Sequence, residues 1–101
     1  MSTSTQCNVI RQYLREQFPK HFITDFLEGA RRAQIFRVDA PSGRPLHYAV
    51  LGLDFLQAHT ADGLQQALIS SALSEKLKEA GTAPVTLSTT GCRTEGVAPI
   101  V

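Results

Sequence analysis

The sequence lacks the features that mark membrane-spanning and disulfide-stapled proteins. It contains no Trp, one Met and two Cys in 101 residues, and no uninterrupted apolar run approaches the length of a membrane-spanning helix. Cys7 and Cys92 lie near opposite ends of the chain and form no Cys-x-x-Cys motif, so no disulfide framework is visible. Residues 1–5 lack the apolar stretch of a signal peptide. We therefore expect a cytoplasmic protein with reduced thiols and no membrane partner.

The chain also lacks a strong charge of either sign. Its formal net charge is +1, whereas a domain that binds nucleic acid strongly is usually more basic, because neutralising phosphates supplies most of the affinity. The charge is unevenly distributed, since residues 1–50 carry a formal +3 and residues 51–101 a formal −2. A basic face is compatible with this distribution, but the composition does not require one.

Motifs for catalysis and for metal or cofactor binding are missing as well. His21, His47 and His59 are far apart in sequence and form neither a His-x-x-x-His pair nor a Cys/His cluster. The chain contains no Gly-x-Ser-x-Gly motif, no Walker loop and no glycine-rich dinucleotide turn. We therefore expect no catalytic residue, no metal and no cofactor, and we interpret His47 as a surface or rim residue.

The residues that are present predict one folded domain over residues 1–101. Apolar residues make up 43% of the chain and charged residues 19%, which argues against disorder. A first helix is predicted over about residues 4–18, capped by Thr3 or Ser4 and ended by Pro19. Its apolar stripe, at spacings of three and four, consists of Cys7, Ile10, Leu14 and Phe18.

Residues 21–28 are open to two interpretations. Their apolar side chains fit a short amphipathic helix, and the alternation of Phe22, Thr24 and Phe26 fits an edge strand almost as well. Residues 32–53 favour a β-hairpin, because two runs rich in β-branched and aromatic residues flank a cluster of turn residues.

A second helix is predicted over residues 62–80, with Asp62 near its start and Gly81 as its stop. A strand over residues 84–90 follows, and the tail over residues 91–101 carries few structural signals. The expected fold is α+β: a small antiparallel sheet of three or four strands, with the two main helices packed on one face. The element order is helix, possible strand, two hairpin strands, helix and last strand.

If residues 21–28 form a strand, the order helix–strand–strand–strand–helix over residues 4–80 resembles the double-stranded-RNA-binding domain in topology. That family has a lysine-rich motif at the start of its last helix, where this chain has Ala61-Asp62-Gly63-Leu64. It also has a Gly-Pro-x-His loop between its first strands, where this chain has Glu28-Gly29-Ala30-Arg31. We therefore do not assign the chain to that family.

Three further features are candidates for function, two for binding and one for thiol chemistry. A nucleic-acid-binding strip on the hairpin and its approaches would consist of Arg31, Arg32, Arg37 and Arg44. The alternative is that these arginines solvate an exposed face and protect an edge strand. Cys92 beside Arg93 is a candidate reactive thiol, because a neighbouring cation lowers a thiol pKa. The apolar end over residues 99–101 either docks onto a partner or covers its own domain.

The leading functional prediction is a non-catalytic protein-binding or regulatory protein, dimeric, that uses its sheet edge or an exposed helix face. It depends on the missing catalytic motifs and on the open edge that so small a sheet usually keeps. The expected partners are a second copy of the chain and another, unidentified protein. A nucleic-acid-associated regulator is the alternative.

Overall fold

The computed structural model of the chain describes residues 4–30, 32–89 and 91–94, with the backbone alone for Ser4 and for residues 91–94. The first helix, α1 (Ser4–Gln17), forms where the apolar stripe predicts it, and the stripe is buried. It ends before Pro19, because the residue that precedes a proline avoids helical geometry. The predicted cap Thr3 lies outside the described residues.

A mixed sheet of five strands follows α1. The strands, in both chain order and spatial order, are β1 (Phe22–Glu28), β2 (Ala33–Asp39), β3 (Pro45–Gly52), β4 (Val85–Ser88) and β5 (Gly91–Thr94). β1, β2 and β3 form an antiparallel meander, β4 runs parallel to β3, and β5 runs antiparallel to β4. The ambiguous stretch over residues 21–28 is therefore a strand, and the predicted hairpin and the strand after Pro84 are confirmed.

The α+β fold is confirmed and the element order roughly matches the prediction, whereas the sheet is mixed and not antiparallel throughout. The chain returns from β3 to β4 through a helical crossover, and such a crossover is what parallel neighbours require. The additional strand β5 lies at the start of the tail, where the sequence gives few signals.

The crossover contains three helices, α2 (Leu53–Gln57), α3 (Ala61–Ser70) and α4 (Leu73–Ala80). The prediction of one helix over residues 62–80 is wrong, because Ala72 adopts the left-handed conformation with φ 53° and separates α3 from α4. α3 begins one residue earlier than predicted. Its cap is Thr60, whose hydroxyl accepts a hydrogen bond from the Gly63 N–H at 3.1 Å.

The helices pack on one face of the sheet, as predicted. Phe36, Val38 and their neighbours on β3 and β4 form the sheet side of this core. The buried stripe of α1 and the leucines of α3 and α4 form the helix side. The hydroxyl of Tyr13 on α1 also accepts a hydrogen bond from the buried Ser74 N–H at 3.1 Å, which ties α1 to the start of α4.

The opposite side of the sheet, which we call the open face because no residue of the four helices belongs to its apolar cluster, has a smaller cluster of buried side chains. This cluster contains Ala33, Ile35, Tyr48 and Val50. All four are buried, yet no residue of α1, α2, α3 or α4 belongs to the cluster. Both faces of β3 are buried at residues 48–51, which accounts for the uninterrupted apolar run there.

Candidate protein-binding edge

The first strand, β1, is an edge of the sheet and pairs within the described chain with β2 alone. It also carries most of the large hydrophobic side chains that are exposed in the described residues. Of the four large hydrophobic side chains that are exposed in the described residues, three lie on β1: Phe22 at 59%, Phe26 at 40% and Leu27 at 61%. The fourth, Ile69 on α3, is 57% exposed. An edge strand offers unpaired backbone N–H and C=O groups, so β1 combines an unsatisfied backbone with an apolar surface.

The register between β1 and β2 places both phenylalanines on the open face. Phe26 lies opposite Ile35, which in turn lies opposite Val50 on β3. Directly opposite residues project to the same side of a sheet, so these three side chains form one row across three strands. The buried open-face cluster therefore continues outward to the exposed edge through Phe26.

The other face of β1 is fixed to α1 by a polar cluster around Asp25. Arg11 binds this carboxylate with two nitrogens, Nε at 2.7 Å from Oδ1 and Nη2 at 2.9 Å from Oδ2. The Gln34 amide on β2 donates a third hydrogen bond to Oδ2 at 2.6 Å. The hydrogen bonds from Arg11 hold the pKa of the Asp25 carboxyl below its ordinary value, against the opposing effect of burial. The backbone of β1 is thereby held in place beneath the exposed phenylalanines.

The arginines of the nucleic-acid hypothesis are spread along the hairpin in the described part of the chain. Arg31 lies outside the described residues. Arg32 immediately precedes β2 and Arg44 follows it in the hairpin loop, so a strand length of roughly 20 Å separates their backbones. Arg37 lies between them, and its Nε is 2.8 Å from Oδ1 of the buried Asp39. This structure therefore does not cluster Arg32, Arg37 and Arg44, and nucleic-acid binding stays a prediction.

The three histidines each place Nδ1 near a backbone carbonyl. The acceptors are Pro19 for His21 at 3.0 Å, Gly81 for His47 at 3.0 Å and Phe55 for His59 at 2.8 Å. A carbonyl only accepts, so we assign the proton to Nδ1 in each ring. His47 is partly buried, with its ring centroid 5.2 Å from that of Phe18. Within the described residues, no three His, Cys, Asp or Glu side chains are arranged to hold a metal ion.

The two remaining candidates fall largely outside the described part of the chain. The backbone of Cys92 lies in β5 opposite Leu87, but its side chain lies outside what the structure describes. The same holds for the apolar end over residues 99–101. Both hypotheses therefore stay predictions.

Comparisons with protein-family models, with curated proteins and with solved structures find no match to this chain. Among the helices that the structure describes, none has both the length and the hydropathy that a membrane crossing requires.

Sequence reasoning did not single out Phe22 and Phe26 as binding residues. Phe22, Thr24 and Phe26 do alternate, but the helical interpretation of residues 21–28 would place both phenylalanines on a buried stripe. Only the pairing of β1 with β2, together with the position of β1 at the edge, shows that they are exposed.

Proposed function

We propose that this chain is a small, cytoplasmic, non-catalytic protein-binding domain that forms a homodimer. Its binding surface is the β1 edge, which we define as Phe22, Thr24, Phe26 and the outward-facing backbone of β1. The observation that carries the proposal is that three of the four exposed large hydrophobics of the described chain lie on this one edge strand, two of them, Phe22 and Phe26, on the open face. A regulatory role through a further protein partner stays a prediction, and such a partner would have to bind outside the β1 edge that the second copy covers.

Two physical effects favour association at this surface. A partner strand would satisfy the outward-facing N–H and C=O groups of β1, as in strand addition to an open edge. The same partner would remove Phe22 and Phe26 from water; since they are 59% and 40% exposed, burying the remainder contributes about half of the roughly 1.5–3 kcal/mol of full burial. The second effect discriminates between partners, because it requires apolar side chains opposite the two phenylalanines.

Self-association is the direct test. We expect sedimentation velocity to show a dimer of the unmodified chain at micromolar concentrations. Phe22→Ser and Phe26→Ser should each raise the dimer dissociation constant at least about tenfold, because losing about 1.4 kcal/mol of association free energy corresponds to that factor.

The matched control is Ile69→Ser, which removes an equally exposed hydrophobic side chain from α3, outside the β1 edge. This variant should keep the dissociation constant of the unmodified chain. A monomer across the micromolar range contradicts the proposal, and so does an equal loss of dimer in all three variants. Circular dichroism of each variant verifies that the fold is retained.

A further inference from the structure

We infer that the second copy pairs antiparallel along β1, with a two-fold axis that passes through Thr24. This inference rests on the proposed function, since it specifies how a second copy occupies the β1 edge. A strand paired with its own copy has only a few possible registers, and the sequence of β1 discriminates among them.

The first restriction on the register is that the open faces of the two copies must lie on the same side of the sheet. Residues directly opposite each other project to the same side of a sheet, and a slip of one residue would exchange the two faces. With the open faces kept together, three registers pair at least five of the seven residues of β1. Their two-fold axes pass through Thr24, Asp25 or Phe26.

The register centred on Asp25 places two carboxylates directly opposite each other, and like charges in that position are destabilising. It also sets Phe22 against Glu28 of the second copy. The register centred on Phe26 sets Thr24 against Glu28 and leaves Phe22 without a strand partner. In each of these two registers, the charged side chain of Glu28 therefore lies opposite an uncharged side chain of the second copy that cannot compensate its charge.

The register centred on Thr24 keeps the two Asp25 carboxylates apart, gives Phe22 a strand partner and leaves Glu28 outside the paired residues. It places Phe22 opposite Phe26 of the second copy twice, on either side of a Thr24–Thr24 pair. Aromatic–aromatic and Thr–Thr neighbours are favourable cross-strand pairs. Asp25 faces Ile23 of the second copy on the helix side, and its charge is already compensated within its own chain by Arg11 at 2.7 Å.

The consequence is a single continuous sheet of ten strands, in which the open faces of both copies join. The row formed by Val50, Ile35 and Phe26 continues into Phe22 of the second copy. Both β1 edges are covered in the dimer, so neither remains available for further strand addition.

Disulfide trapping tests the register. Directly opposite Cβ atoms in an antiparallel pair lie about 4.5–5.5 Å apart, near the disulfide span, whereas diagonal neighbours are about 7–8 Å apart. Under mild oxidation with glutathione disulfide, Thr24→Cys should form a 24–24 cross-link at least about tenfold more abundant, per dimer measured by sedimentation, than the 26–26 cross-link of Phe26→Cys. Because Cys7 and Cys92 remain in the chain, non-reducing peptide mapping identifies each linkage.

Mixtures of single variants provide an independent readout. In the Thr24 register, a mixture of Phe22→Cys and Phe26→Cys should give a 22–26 linkage. A mixture of Thr24→Cys and Phe26→Cys tests the alternative, because a dominant 24–26 linkage there indicates the register centred on Asp25. If sedimentation shows a dimer but 24–26 or 26–26 linkages dominate, the Thr24 register is wrong and the proposed function stands. If the unmodified chain is a monomer and no linkage between positions on β1 forms, both fail.

Discussion

Asp25 lies in the middle of an edge strand, where a charged side chain usually discourages further pairing. Its carboxylate faces the helix layer and accepts hydrogen bonds from Arg11 and Gln34. The side chain of Asp25 is only 13% exposed and that of Arg11 31%, so the pair is more shielded than a typical surface ion pair. Asp25 thus stabilises the contact between α1 and β1 and, at the edge, disfavours one register of self-pairing.

Arg11→Met should lower the free energy of unfolding by about 1–2 kcal/mol at pH 7, because it removes two charge-assisted hydrogen bonds from a mostly buried carboxylate. The pKa of Asp25 in the folded state lies below its ordinary value of 3.8. A depressed carboxyl pKa stabilises the fold fully above the unfolded-state value and loses that effect as the pH falls through the folded-state value. The difference between the two proteins should therefore shrink below about pH 4.

Urea unfolding at a series of pH values measures this difference. Arg15→Met is the matched control, because Arg15 is an exposed arginine in the last turn of the same helix. It should change stability by less than about 0.5 kcal/mol. A difference for Arg11→Met that stays constant down to pH 2 would mean that Asp25 is not the group responsible.

Among the elements, those that could be predicted from sequence are those with one dominant local signal. α1 has a single apolar stripe and a terminating proline, and the hairpin has two β-rich runs around a turn. The apolar residues of β1 fit both the helical and the strand periodicity. Its strand conformation is therefore decided by its pairing with β2 and by the hydrogen bond from Gln34 to Asp25. That information is tertiary, and for the same reason the exposure of Phe22 and Phe26 could not be predicted from the sequence.

The break between α3 and α4 shows the same limit. Ser71 and Ala72 are compatible with a helix interior, and neither is a residue that normally ends one. Ala72 nevertheless adopts φ 53° and ψ 45°, and it provides no side-chain cap to α4. Tyr13 from α1 instead accepts the Ser74 N–H, so the start of α4 depends on a residue 61 positions away.

Ala72→Gly should therefore stabilise the protein by about 0.5–1 kcal/mol, because the left-handed conformation costs a non-glycine residue roughly 1–2 kcal/mol and the added chain entropy offsets part of that gain. Ala67→Gly, within α3, should destabilise it by about 1 kcal/mol or more through lost helix propensity and packing. If chemical denaturation shows that Ala72→Gly raises the free energy of unfolding and Ala67→Gly lowers it, the result supports a break at Ala72. Destabilisation by both substitutions would indicate that residues 61–80 form one continuous helix.

At the scale of the whole molecule, the two faces and the two edges of the sheet are not equivalent. The helices cover one face, where they bury the main core. The other face has a small buried cluster that extends to the exposed phenylalanines of β1. The parallel crossover moves β4 and β5 to the far side of β3, which leaves β1 at the edge of the sheet. The topology itself thus creates the surface that we assign to binding.

A dimer formed at the β1 edge should make thermal stability depend on protein concentration, because association stabilises only the folded chains. Above the dissociation constant, a tenfold increase in concentration contributes about 1.4 kcal/mol per dimer, or about 0.7 kcal/mol per chain. For a domain of this size that corresponds to a rise in Tm of about 3–5 °C, measured by calorimetry. Phe22→Ser and Phe26→Ser should reduce this dependence over the same range, whereas Ile69→Ser should retain it. A Tm that is independent of concentration in the unmodified chain would contradict a dimer coupled to folding, even if the two phenylalanine variants were less stable.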